Sequence, residues 1–124
     1  MSQPWFVLTK RYGEDVGSPN SHQLAEAVAE LYHENLPGMT KADYEEHGSG
    51  HLRFGSDDGS MFVVEIVRTG IVVLEEWADQ DFEKRLCPAR KMKGVSEKDA
   101  LQLWVWLAEG AIDKVRSQAW QAAT

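Results

Sequence analysis

The sequence is poor in the residue that staples exported scaffolds: its 124 residues include one cysteine, Cys87. An intrachain disulfide is impossible, and a secreted disulfide-bonded module is excluded. No apolar run approaches the roughly 20 residues that cross a bilayer as a helix. The opening Met1-Ser2-Gln3-Pro4-Trp5 has neither the basic nor the apolar stretch of a signal peptide, so the expected location is the cytoplasm. Basic residues are scarce too, with 13 Lys and Arg against 20 Asp and Glu and a formal net charge of −7. Nucleic acid is disfavoured as a partner, because affinity for it comes from Lys and Arg neutralising phosphates. An anionic membrane surface is disfavoured for the same reason. A basic protein partner suits this balance.

Signatures of catalysis are missing as well. There is no G-x-S-x-G elbow, and Gly48-Ser49-Gly50 does not lie between a strand and a helix. No Walker sequence occurs, and Gly48, Gly50 and Gly55 precede a strand, so neither a phosphate-binding loop nor a cofactor is expected. Cys87 has Arg85 and Arg90 close enough in sequence to favour a thiolate, but it precedes Pro88 with no nearby His to act as base. His47 and His51 are four apart, beside Glu45, Glu46, Asp57 and Asp58. Zinc-binding His pairs at that spacing need a helix to bring both imidazoles to one face. Gly48 and Gly50 interrupt any such helix, no Glu follows His47, and His33 joins only through tertiary contact. Solvated histidines and no metal site are the expectation. The pairs Glu45-Glu46, Asp57-Asp58 and Glu75-Glu76 lack the visible pocket that acid–base work requires. No catalytic residue is assigned, and an enzyme is not expected.

What is present describes one folded domain over residues 1–124. The hydrophobic fraction of 43% is ordinary for a globular chain, while five Trp is a high number for this length. Trp5-Phe6-Val7-Leu8-Thr9 reads as a strand, followed by a loop from Gly13 to Asn20. Leu24, Ala27, Val28, Leu31 and Tyr32 recur at helical spacing and predict a helix from about Ser21 to Asn35, stopped by Leu36-Pro37-Gly38. Thr40 to Glu46 has the spacing for one more capped turn. His51–Gly55, Met61–Arg68 and Ile71–Trp77 are predicted strands of an antiparallel meander, turned at Asp58-Gly59 and Thr69-Gly70.

With two-residue turns, Leu52, Phe54, Met61, Val63, Val67, Val72 and Leu74 share one face of this meander. Phe62, Val64, Ile66, Ile71, Val73 and Trp77 share the other. Both faces are then apolar, which predicts either a helix on each side or one face that meets a partner. Asp79 to Gly94 reads as irregular. Ser96, with Asp99 three residues on, opens a second helix whose apolar face is Ala100, Leu101, Leu103, Trp104, Leu107 and Ala108, capped by Gly110. Trp106 falls off that stripe, and Ile112, Val115 and Trp120 suggest a short last element. The expected fold class is α+β: an antiparallel β-meander of about four strands packed with two main helices, in the order β-α-β-β-β-α.

The acidity is concentrated. From Asp43 to Glu83 there are eleven acids against Arg53 and Arg68, a net of −9, before the basic block Lys84, Arg85, Arg90, Lys91 and Lys93. Glu75, Glu76, Asp79, Asp81 and Glu83 are expected to form a negative rim around Trp77 and Phe82, joined by Asp57 and Asp58 at a meander turn. An aromatic ringed by charge is the anatomy of a steered interface hot spot; the other reading is that Trp77 and Phe82 are core residues and the acids pair with the adjacent basic block. These nine residues are the candidate partner-binding site.

In size and layout the chain resembles the small α+β immunity proteins of bacterial contact-dependent growth inhibition and related polymorphic-toxin systems. The resemblance rests on Leu52-Arg53-Phe54-Gly55-Ser56-Asp57-Asp58-Gly59, on Glu75-Glu76-Trp77-Ala78-Asp79 and on the Trp-rich second helix. It implies a cytoplasmic antitoxin-like inhibitor that covers the active site of a basic, nuclease-type toxin domain with an acidic face. Two other readings stay open. A secretion chaperone or adaptor would use an apolar sheet face to dimerise and bind an effector. A small enzyme or metal-binding protein would use His47, His51 and the acids around them. Monomer and dimer are not distinguished.

Overall fold

The computed structural model describes residues 4–11, 13–33, 40, 42, 48–68 and 70–122. In chain order the elements are β1 (Trp5–Thr9), β2 (Asp15–Gly17), α1 (Ser21–His33), β3 (Ser49–Gly55), β4 (Met61–Val67), β5 (Val72–Trp77), β6 (Arg90–Met92), α2 (Glu97–Ala108), α3 (Ile112–Arg116) and β7 (Gln121–Ala122). The strands form one antiparallel sheet in the order β2-β1-β3-β4-β5-β6-β7. The α+β class stands, with a larger sheet than the sequence predicts: among the described residues it has seven strands instead of about four, and beside the two main helices it has the short α3, where Ile112 and Val115 suggest a last element. The extra strands β2, β6 and β7 are two or three residues long (Asp-Val-Gly, Arg-Lys-Met, Gln-Ala) and too short to show alternation. Pairing with a longer neighbour, not local pattern, makes them strands. The capped turn expected at Thr40–Glu46 falls largely outside the described residues.

Both central hairpins turn through three residues, not two. The Ser56 N–H donates to the Ser60 carbonyl at 2.8 Å and the Gly59 N–H to the Ser56 carbonyl at 3.1 Å, with Gly59 at φ 95°. The second turn repeats this: Val67 N–H to Ile71 carbonyl at 2.8 Å, Gly70 N–H to Val67 carbonyl at 2.9 Å, and Gly70 at φ 84°. A three-residue loop places its last residue in the left-handed region, where glycine alone is unstrained.

That extra residue corrects the face assignment, because a one-residue shift moves a whole strand's side chains across the sheet. Leu52 pairs with Val64, Phe54 with Phe62, Val64 with Leu74 and Ile66 with Val72. Even-numbered residues of β3, β4 and β5 therefore share one face and odd-numbered residues share the other. The even face is nearly all apolar and buried. It packs with Leu24, Ala27, Val28 and Leu31 of α1 and with Ala100, Leu103, Trp104 and Leu107 of α2 in one core. Both long helices lie on this side, so the expected arrangement of one helix per face is not observed.

Local caps fix the helix starts. Asn20 and Gln23 exchange bonds at α1, Gln23 N–H to Asn20 Oδ1 at 2.8 Å and Asn20 N–H to Gln23 Oε1 at 2.9 Å. Ser96 Oγ accepts from the Asp99 N–H at 3.2 Å at α2, as its spacing predicts.

The odd face changes character along the strands. At one end Met61, Val63 and Trp77 form a second small core joined by Trp5. Trp5 reaches it because it pairs with Gly55, where a Cβ would stand 2.1 Å from the indole. Further along, the same face carries His51, Glu65, Val73 and Lys91 in one cross-strand row.

Candidate protein-docking site

The apolar end of the odd face is covered by the chain that leaves β5. Trp77 makes a bridge with Arg85, the Ala78 N–H donates to the Lys84 carbonyl at 2.7 Å, and the Leu86 N–H donates to the Glu76 carbonyl at 2.8 Å. These bonds close residues 78–84 into a tight loop. Asp79 organises it from within, its carboxylate accepting from the Lys84 N–H at 3.0 Å and the Glu83 N–H at 3.2 Å. Those backbone donors, Lys84 first, hold its carboxyl below the usual carboxylate range.

Gln80 ties this loop to the β3–β4 turn. Its carbonyl oxygen accepts from Trp5 Nε1 at 3.1 Å, and its amide donates to the carbonyls of Ser56 at 3.1 Å and Ser60 at 3.3 Å. Two acidic loops are thereby held side by side. On the turn, Asp58 accepts from the Ser60 hydroxyl at 2.6 Å and the Ser60 N–H at 2.9 Å. The hydroxyl, then the backbone bond, lowers its carboxyl below the ordinary value.

Two apolar side chains stand out of this charge. Phe82 is 44% exposed and Leu86 is 54% exposed, the exposed large hydrophobics among the described residues. Phe82 sits at φ 59°, a conformation that costs a bulky residue about 1–3 kcal/mol. Its ring meets Trp77 edge to face, with centroids 5.2 Å apart and planes at 80°. Arg85 stacks on the same indole at 4.8 Å and pairs with Glu75 at 2.8 Å. Trp77 is thus covered by a ring and a guanidinium, and its indole N–H is buried without a hydrogen-bond acceptor.

The structure divides the nine candidate residues. Asp57, Asp58, Asp81, Phe82 and Glu83 are exposed on the two stitched loops, with half-buried Asp79 between them. Trp77 is only 8% exposed and serves the small core. Glu75 lies on the odd face, held by Arg85. Glu76, the next residue of the strand, points to the opposite face, is 5% exposed, and bonds both Arg90 and Arg116. Strand alternation thus removes Glu76 from the expected rim. Gln80 and Leu86 belong to the surface but carry no sequence signal beyond their position.

Of the groups considered for metal binding, His47, Glu45 and Glu46 lie outside the described residues. His51 is in mid-strand, and Asp57 and Asp58 lie beyond the end of that strand. Among the described residues, no three His, Cys, Asp or Glu side chains are grouped to hold an ion. No described helix is long and apolar enough to cross a membrane. Compared with protein-family models, with curated proteins and with solved structures, the chain matches none.

Proposed function

We propose that this protein is an immunity-type inhibitor. It docks the surface built by residues 56–60 and 78–86 onto a basic toxin domain, of nuclease type, and blocks its active site. The observation that carries this reading is the coincidence of Phe82 and Leu86 with a pre-organised acidic loop pair. Asp57, Asp58, Asp79, Asp81 and Glu83 stand on segments 56–60 and 78–86, whose basic residues are Lys84 and Arg85, and Arg85 is engaged by Glu75. Charge of one sign steers a basic partner, and exposed apolar anchors hold it after water is expelled. A loop fixed by its own hydrogen bonds loses little entropy when it binds.

The secretion-chaperone reading drew on an apolar sheet face free to dimerise. The apolar part of the odd face is instead covered by the chain's own loop, with Met61 at 0% and Val63 at 3% exposure. The docking reading therefore has the better physical support.

The test is affinity capture of a tagged chain from its native host, followed by co-expression of the captured domain. The expected result is one stoichiometric basic partner whose toxicity the chain suppresses. Phe82→Asp with Leu86→Asp should lower capture at least about tenfold, the loss of a hot-spot contact. A partner held equally by the doubly substituted chain would overturn the assignment of this surface.

A further inference from the structure

Beneath the Phe82 ring, on the odd face of the sheet, lies a cavity of about 200 Å³ lined by His51, Val63, Glu65, Glu75 and Phe82. The register explains why these residues meet. His51 pairs with Glu65 and Val63 with Glu75, so they form two adjacent rows, and the 78–86 loop carries Phe82 over them. The volume falls below the several hundred Å³ of small-molecule pockets. It suits the head of one side chain.

The chemistry of the lining selects a cation. Val63 is an apolar wall, Phe82 an aromatic one, and two carboxylates stand at the edge. Glu75 is shared with Arg85, but Glu65 receives a bond from the Ser49 hydroxyl at 3.2 Å, a fraction of what a carboxylate accepts. The nearby guanidiniums do not line the cavity: Arg53, in the row of Val63 and Glu75, lies over Trp5 at 6.0 Å with its Nε buried and unbonded, and Arg85 lies over Trp77 at 4.8 Å. Burial first, then Arg53, pushes the His51 imidazole below its ordinary value, against Asp15 and Glu75. It therefore carries less positive charge at neutral pH than an unperturbed imidazole. The neighbouring position holds a guanidinium in this way, since Arg85 lies over an indole while bonding Glu75. A planar guanidinium stacks and forks where an ammonium does not.

We infer that this cavity receives an arginine side chain of the docked protein partner, bonded by Glu65 and covered by the Phe82 ring. The inference rests on the docking reading and gives it a contact: Phe82 is both an exposed anchor and one wall of an arginine site.

The probe is Nα-acetyl-arginine amide, titrated into the free protein and followed by amide NMR, with sodium chloride and Nα-acetyl-glutamine amide as controls. The expected result is saturable shifts at Val63, Glu65, Glu75 and Phe82. Glu65→Gln and Phe82→Ala should each weaken binding about fivefold, the scale of one charge-assisted bond or cation–π contact, with the remaining spectrum unchanged. Shifts that stay linear, match those of sodium, or saturate at the same ligand concentration in Glu65→Gln overturn the cavity assignment. Partner capture separates the two ideas. If Phe82→Asp with Leu86→Asp abolishes capture while Glu65→Gln binds partner normally, the docking surface stands and the arginine site fails. If capture ignores the loop substitutions, the docking reading fails, and the partner is removed as the source of the arginine.

Discussion

The indole N–H of Trp104 donates to the Val64 carbonyl at 2.9 Å, joining the middle of α2 to the middle of the sheet at a residue with no exposure. A buried Trp both fills volume and must satisfy its donor, and one contact does both here. Trp104→Phe keeps most of the volume but deletes the donor and leaves a void. The expected loss is about 2–3 kcal/mol, from the missing bond and the cavity together. Urea unfolding measures it, and a loss under about 0.5 kcal/mol would show that the core repacks around the ring.

Glu76 ties three elements together, accepting from Arg90 of β6 and from Arg116 of α3. That bonding also raises Arg116 above its ordinary value. Removing the shared acid strands two guanidiniums. Their side chains are 33% and 44% exposed, so water takes up part of their charge. Glu76→Gln should therefore cost about 1–3 kcal/mol, below the usual figure for breaking a fully buried pair. Arg116→Met leaves Glu76 bonded to Arg90 and should cost less. An Arg116 substitution costing as much as Glu76→Gln would contradict the shared-acid picture.

Acid sensitivity should report His51. Its folded-state value lies below 6.5, mainly through burial. The unfolded chain then binds this proton first as pH falls, so the neutral imidazole's contribution is complete above the unfolded value. It is lost as pH falls from there through the folded value. The urea midpoint should begin to drop as pH falls through the ordinary imidazole value of 6.5 and continue below it, and His51→Gln should flatten that part of the profile. An identical profile in the Gln variant would assign the sensitivity to other groups.

Position 82 should invert the usual order of substitution costs. Phe82 occupies the left-handed region at φ 59°. Glycine relieves that strain and loses the edge contact with Trp77, two effects of about 1 kcal/mol each and opposite sign. Phe82→Gly should leave stability within about 1 kcal/mol, while Phe82→Val, β-branched and strained, should be the less stable variant. Thermal unfolding of the pair decides. If Gly preserves the fold and partner capture is nonetheless lost, the ring at this position serves binding.

The long elements were legible because their periodicities are strong. Leu24, Ala27, Val28 and Leu31 mark α1, and Ala100, Leu103, Trp104 and Leu107 mark α2. The alternation along β3–β5 was visible too, but its direction was not. Asp58-Gly59 reads equally well as a two-residue turn and as the end of a three-residue one, and the difference reverses the sheet. Asn20 and Gln23 had the spacing of a reciprocal cap, which Ser21 beside them obscured. In the candidate site, Asp79, Asp81, Phe82 and Glu83 follow from charge density, whereas Glu65 sits alone in an apolar strand. Its meeting with His51 and Phe82 depends on register and on the path of a loop, which no local pattern encodes.

The sheet tapers at both margins, ending in β2 with three residues and β7 with two. A sheet edge recruits foreign strands in proportion to the backbone it leaves unpaired. Among the described residues, margins this brief offer an incoming chain a rung or two of ladder. Docking of the proposed kind would then rest on side chains, where a single substitution can redirect it.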